Sequence, residues 1–122
     1  MASSIAKILF IESTRDLILS NDNPWYFIGK YAEGIGSPHT GIDRIWPIAI
    51  TMRALTSTDD DEIVQCIRML KKTHAGTGFM HEAFDGDDPY RFSRKWFAWA
   101  NTLFGELIYE TYNRKPELLK TV

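Results

Sequence analysis

The amino-acid sequence predicts an all-α fold of about four helices joined by long loops. Apolar residues recur at the three- and four-residue spacing of a helix in four segments of the chain. Clusters of glycine, proline and short polar residues separate these segments. With 122 residues, of which 44% are hydrophobic, the chain can form one compact unit, and we expect residues 1–122 to be a single partial domain.

The first helix is predicted over residues 4–19, where seven apolar residues fit helical positions: Ile5, Ile8, Leu9, Phe10, Ile11, Leu17 and Ile18. The run Ser-Asn-Asp-Asn-Pro at residues 20–24 should end it. The following segment to Gly41 contains five further glycines or prolines at close spacing and is predicted to be a long irregular loop. Loops of that length usually carry function.

A second helix is predicted over residues 42–55, with Pro47 in its first turn or at a kink. The third should begin near Asp59, where four consecutive acidic residues suit the positive end of the helix dipole. Residues 79–84 are predicted to be extended or loop-like, and residues 85–89 form an acidic turn. The last helix should begin near Ser93 and bury a broad apolar face.

The charge balance argues against several classes of partner. Fourteen basic and 16 acidic side chains give a net charge of −2, which predicts no binding of nucleic acid. The apolar cluster at residues 5–11 is interrupted by Lys7 and is too short to span a membrane or to serve as a clear signal peptide, so no compartment is indicated. Cys66 is the single cysteine, which rules out an internal disulfide.

Common catalytic and metal-binding motifs can be tested directly. His81-Glu82 begins like the zinc-protease motif H-E-x-x-H, but Asp85 stands in the fifth position, so no metal site is predicted. The Gly34-Ile35-Gly36 run lacks the third glycine of a dinucleotide fingerprint.

Two glycine-rich loops carry groups that recognise sugars. Residues 34–41 contain His39, and residues 76–82 end with Glu82 beside a histidine. Glycoside hydrolysis needs two carboxyl groups, and Glu82 is the best candidate for one of them. Taken alone, these residues leave two alternatives open. Glu82 could be a solvated loop carboxylate, and Trp96 could belong to the hydrophobic core instead of forming a stacking surface for a sugar ring.

Six runs of sequence together resemble the C-terminal end of glycoside hydrolase family 125. In order and spacing, over about residues 14–108, they are NPWYF at 23–27, GIGSPHTG at 34–41, IWP at 45–47, ALTSTDD at 54–60, GTGFMHE at 76–82 and WFAWANTLFGEL at 96–107.

The resemblance implies the C-terminal third of an (α/α)6 toroid that binds α-mannosides and cleaves terminal α-1,6-linked mannose with inversion, as in N-glycan or mannan degradation. It implies no metal and no other cofactor. The glutamate of the Gly-Phe-Met-His-Glu run is the family's general base, which carries over to Glu82. His39, Trp46, Trp96 and Asn101 are expected to contact or shape the mannose pocket.

The chain departs from the family in one respect that matters for activity. The family's general acid is an aspartate in the first half of the toroid, and no part of these 122 residues resembles that half. We therefore expect a fragment that is inactive alone. Two alternatives stay open: a non-catalytic remnant that binds mannose, which calorimetry would detect, and a helical interaction module that self-associates through exposed apolar faces, which light scattering would detect.

Overall fold

The structure, a computed structural model, describes residues 2–122, with side-chain environments from residue 4 onward; Met1 lies outside the described residues. The elements follow in chain order. They are α1 (Ala2–Ile18), β1 (Tyr26–Ile28), β2 (Glu33–Ile35), β3 (Arg44–Ile45), α2 (Pro47–Leu55), α3 (Asp60–Lys72), β4 (Ala83–Asp85), β5 (Asp88–Ser93), α4 (Ala98–Arg114) and α5 (Pro116–Leu119).

The prediction of an all-α fold, as part of an (α/α)6 toroid, is wrong for this chain, because helices and strands both build it. Strands β1 and β2 form an antiparallel hairpin, and β3, β4 and β5 form a three-stranded antiparallel sheet with β4 in the centre. Strands β1, β2 and β4 lie in segments that the sequence predicted to be irregular or extended, whereas β3 occupies residues predicted to begin the second helix, which starts only at Pro47. Strands β1 to β4 have only two or three residues each, which is too few to display a period of two.

The helices agree better with the sequence. Pro47 occupies the first turn of α2, as predicted, because its missing N–H would be unpaired there in any case. Helix α3 begins as its acidic run predicted, and the side chain of Asp59 caps it by accepting from the N–H of Asp61 at 3.0 Å. The last helix begins five residues later than predicted, at Ala98, because β5 continues to Ser93.

The hydrophobic core lies where α2 packs against α3 and α4 and extends under the three-stranded sheet. Its fully buried members come from five different elements: Ile45, Ile50, Leu70, Phe84 and Leu107. The core therefore holds β4 against the helices, and β4 directly follows Glu82 in the chain.

Glycines let the two sheets approach each other closely. The N–H of Tyr31 donates to the carbonyl of Gly86 at 2.9 Å, and a Cβ on Gly29 would collide with that same carbonyl. A Cβ on Gly86 would come within 2.8 Å of the Phe27 ring. Gly29, which suggested an irregular loop, and Gly86, in the predicted acidic turn, thus serve a sheet contact that side chains would block.

A network of ion pairs joins the N-terminal half of the chain. Arg53 donates to Glu62 at 3.0 Å and to Glu33 at 3.3 Å, and Arg15 pairs with the other oxygen of Glu62. Burial opposes the charge of Arg53, yet the hydrogen bond to Glu62 raises its pKa above the ordinary value. Burial and the hydrogen bond to Glu33 raise the pKa of Tyr26 to about 12. The network links α1, the β1–β2 hairpin, α2 and α3.

Helix α1 exposes apolar side chains around its circumference. Seven of them are at least 36% exposed: Ile5, Ile8, Leu9, Phe10, Ile11, Leu17 and Ile18. Arg15 connects this helix to the rest of the chain, since it pairs with Glu62 and also donates to the hydroxyl of Thr56 at 2.8 Å. Among residues 2–122, no helix has the length and apolar character needed to cross a membrane.

Candidate functional site

Glu82 is positioned by the hairpin of β4 and β5. It lies one residue before β4, and its N–H donates to the carbonyl of Ser93, the last residue of β5, at 3.2 Å. Ala83 and Ser93 are register partners in this hairpin. The backbone of Glu82 is therefore fixed by the sheet, although the residue itself lies outside the strand.

Both carboxylate oxygens of Glu82 have partners. The hydroxyl of Ser93 donates to Oε1 at 2.9 Å. Oε2 lies 3.3 Å from Nε of Arg94 and 3.7 Å from Nε2 of His39. The Glu82 side chain is only 8% exposed, whereas those of Arg94 and His39 are 66% and 71% exposed. Oε1 thus contacts the hairpin, and Oε2 lies beside two largely exposed side chains.

The loop that carries His39 is a tight turn. Ser37 and Gly41 form an isolated antiparallel bridge, and Gly41 takes a positive φ of 94° that a residue with a side chain would rarely adopt. This turn brings a loop from the first half of the chain onto the carboxylate that precedes β4.

Trp46 lies beside this turn. Its indole Nε1 donates to the hydroxyl of Thr40 at 2.8 Å, which fixes the ring. Its ring meets His39 edge-on at a centroid distance of 6.3 Å, and it meets Phe97 in the same way at 6.3 Å. Glu82, His39 and Trp46 therefore come together, although they are far apart in the sequence.

Asn101 and Trp96, the other two residues expected at the pocket, lie around α4. The amide of Asn101 is used by the main chain, since it accepts from the N–H of Met80 and donates to the carbonyls of Met80 and Phe97, all at 2.9 to 3.0 Å. Asn101 thus ties the segment leading to Glu82 onto α4. Trp96 precedes α4 and is 57% exposed.

His81 is buried behind the carboxylate. It is 1% exposed and stacks on Phe92 at a centroid distance of 3.9 Å with an interplanar angle of 6°. Its Nδ1 lies 2.9 Å from the carbonyl of Lys95. Burial lowers the pKa of His81, against backbone carbonyls that raise it, so the ring is neutral at pH 7. The sequence shows that His81 is next to Glu82, but it did not predict that the His81 ring is buried in the core.

A groove of about 610 Å³ lies elsewhere, between α2, α4 and α5, where Met52, Leu103 and Leu118 line it. Its polar lining comes from residues such as Glu106, an exposed carboxylate of α4, and Glu82, His39 and Trp46 do not line it. We place the candidate site at Glu82 because a buried carboxylate, a histidine and a tryptophan converge there.

Comparison with known proteins identifies the family. The sequence model that represents the family of metal-independent α-mannosidases, GH125, matches residues 6–109. The chain belongs to the GH125 family. The resemblance read from the six sequence runs is therefore confirmed.

Two relatives show how much of a GH125 protein this chain spans. The "Meiotically up-regulated gene 157 protein" of Schizosaccharomyces pombe is 50% identical over 109 residues, which is 88% of this chain but 21% of that protein. A metal-independent α-mannosidase of Streptococcus pneumoniae, solved in a non-productive complex with α-1,6-mannobiose, is 43% identical with a TM-score of 0.81. That match covers 85% of this chain and 24% of the bacterial one, so the chain spans between a fifth and a quarter of these relatives.

Proposed function

We propose that this GH125 chain is the part of an inverting α-1,6-mannosidase-like hydrolase that carries the general base, and that Glu82 is that base. The observation that carries the proposal is the Oε2 atom of Glu82, which lies beside the largely exposed side chains of His39 and Arg94. A water lying there would lose its proton to Oε2 as it attacks the anomeric carbon of the mannoside.

The contacts of Glu82 leave lone pairs of its carboxylate available to accept a hydrogen bond from this water. An ionised carboxylate offers about four lone-pair positions. The Ser93 hydroxyl uses one and the Arg94 guanidinium uses another. The same contacts would also suit an ion pair with a purely structural role. The effect of Glu82→Gln on the turnover of a complete GH125 enzyme that contains this segment distinguishes the two roles.

His39 and Trp46 are proposed to contact the mannoside. His39 exposes most of its ring and can exchange hydrogen bonds with sugar hydroxyls, while the ring of Trp46 is held fixed by Thr40. We propose Trp96 as a further platform and Asn101 as a residue that shapes the site through Met80.

The general acid is proposed to come from outside these 122 residues. Inverting glycosidases place their two carboxyl groups about 6.5–9.5 Å apart, and the family resemblance places the acid in a region that this chain does not match. Without it, a factor of about 10² to 10⁴ in rate is lost.

The purified chain is therefore expected to release no mannose from α-1,6-mannobiose, even at high protein concentration. Free mannose is measured by a coupled enzymatic assay, with the Glu82→Gln variant as the control for contaminating activity. Release by the unsubstituted chain that disappears in Glu82→Gln would show that the chain is active alone and would contradict this part of the proposal.

Self-association through α1 is a second candidate property, favoured by the seven exposed apolar side chains of this helix. We expect light scattering to show oligomers of the chain, and Phe10→Glu to shift them toward the monomer because Phe10 is 73% exposed. Tyr90→Glu, which changes an equally exposed aromatic residue on β5, is the matched control. A monomer at all concentrations would exclude this property.

A further inference from the structure

Three consecutive residues, Ser93, Arg94 and Lys95, hold the His81–Glu82 dipeptide from one side. Ser93 binds Glu82 twice, since its carbonyl accepts from the Glu82 N–H at 3.2 Å and its hydroxyl donates to Oε1 at 2.9 Å. Arg94 Nε lies 3.3 Å from Oε2, and the carbonyl of Lys95 lies 2.9 Å from Nδ1 of His81. We call these three residues the 93–95 clamp.

The clamp depends on an unusual backbone conformation at Arg94. Its φ is 52°, in the left-handed region that residues other than glycine rarely occupy. The β5 strand ends at the preceding residue, so the chain turns sharply at Arg94 instead of continuing alongside β4. This turn is followed by Lys95, whose carbonyl reaches the buried ring of His81.

Stability alone gives little reason for this strained residue. The Arg94 side chain is 66% exposed, so it fills no space in the hydrophobic core. Strained backbone conformations of this kind cluster at functional sites, where the surrounding structure maintains them.

We infer that Arg94 is a positioning residue, which holds the Glu82 carboxylate with Oε1 on Ser93 and Oε2 turned toward His39. The effect of this orientation on catalysis rests on the proposed role of Glu82. The orientation itself does not depend on that role, because it follows from contacts that are present without a mannoside.

The test uses the isotopically labelled 122-residue chain and measures the three-bond couplings that report the χ1 and χ2 rotamers of Glu82. In the unsubstituted chain we expect one staggered rotamer at each angle. Arg94→Asn keeps a residue that tolerates the left-handed conformation but removes the guanidinium, so the couplings should become averages over several rotamers. Arg94→Lys keeps the positive charge and should restore most of the single-rotamer values.

Arg91 provides a matched control on the same hairpin. Its side chain is 65% exposed and pairs with Asp85 at 3.6 Å, a geometry similar to that of Arg94 with Glu82. Arg91→Asn should leave the Glu82 couplings unchanged. A merely structural effect of losing a surface cation would be the same in both variants.

Averaged couplings in the unsubstituted chain, or single-rotamer couplings in a folded Arg94→Asn variant, would overturn the inference. If Arg94→Asn does not fold, Arg94→Gly removes the side chain without backbone strain and decides the question. Because no mannoside is present, this outcome is independent of the proposed function. If Glu82→Gln did not slow a complete GH125 enzyme that contains this segment, the role of general base would be refuted, and the positioning by Arg94 would still stand.

Discussion

Replacing Phe84 with alanine is expected to lower the free energy of unfolding by about 3–5 kcal/mol. Phe84 is fully buried at the centre of β4, where it is the register partner of Ile45 on one side and Phe92 on the other. Removing its ring deletes buried apolar surface and leaves a cavity between the sheet and the helices, which surrounding residues can close only in part.

Urea denaturation followed by circular dichroism measures this loss. Tyr90→Ala is the matched control because Tyr90 is an aromatic residue of the neighbouring strand with 74% exposure, and its removal should change stability by about 0.5 kcal/mol or less. A loss below about 1 kcal/mol for Phe84→Ala would mean that β4 is not packed into the core as described. The support for Glu82, which directly precedes β4, would then be in question.

The sequence predicted the helices well because their signals are long. In α3, Ile63, Cys66, Ile67 and Leu70 repeat at helical spacing, and all of them face the core or pack against it. In α2, Pro47 marked the first turn. The strands could not be predicted in the same way, since β3 has two residues and β4 has three. Their pairing depends on contacts between distant segments, which no local pattern encodes.

The candidate site was predictable only in part. Glu82 and His39 stand in glycine-rich loops with sugar-binding chemistry, and the family resemblance singled out Glu82 among several carboxylates. Ser93 and Arg94 were missed because they reach Glu82 through a left-handed turn at the end of a strand that was itself not predicted. The sequence pointed to Asn101 as a pocket residue, but its bonds to the backbone of Met80 and Phe97 depend on how α4 packs.

The second large effect concerns Glu82 in a complete enzyme. We consider a hybrid in which residues 14–108 of this chain replace the matching segment of the S. pneumoniae mannosidase, a replacement that 43% identity and a TM-score of 0.81 make reasonable. The bacterial part would supply the remaining side chains of a GH125 site. Glu82→Gln keeps the shape of the side chain but removes its capacity to accept a proton, so it should lower kcat by about 10² to 10⁴-fold.

Glu106→Gln is the matched control for the hybrid. Glu106 is an exposed carboxylate on α4, within the transplanted segment, and its replacement should leave kcat unchanged. A hybrid that folds and binds α-1,6-mannobiose but never releases mannose would favour the alternative of a non-catalytic, mannose-binding remnant.

The most direct test of the general base is the initial rate of mannose release from α-1,6-mannobiose by the hybrid, measured side by side with its Glu82→Gln variant at saturating substrate. The proposal predicts that the unsubstituted hybrid turns over and that the variant is slower by about 10²-fold or more, with its fold intact by circular dichroism. Equal rates for the two proteins would contradict it.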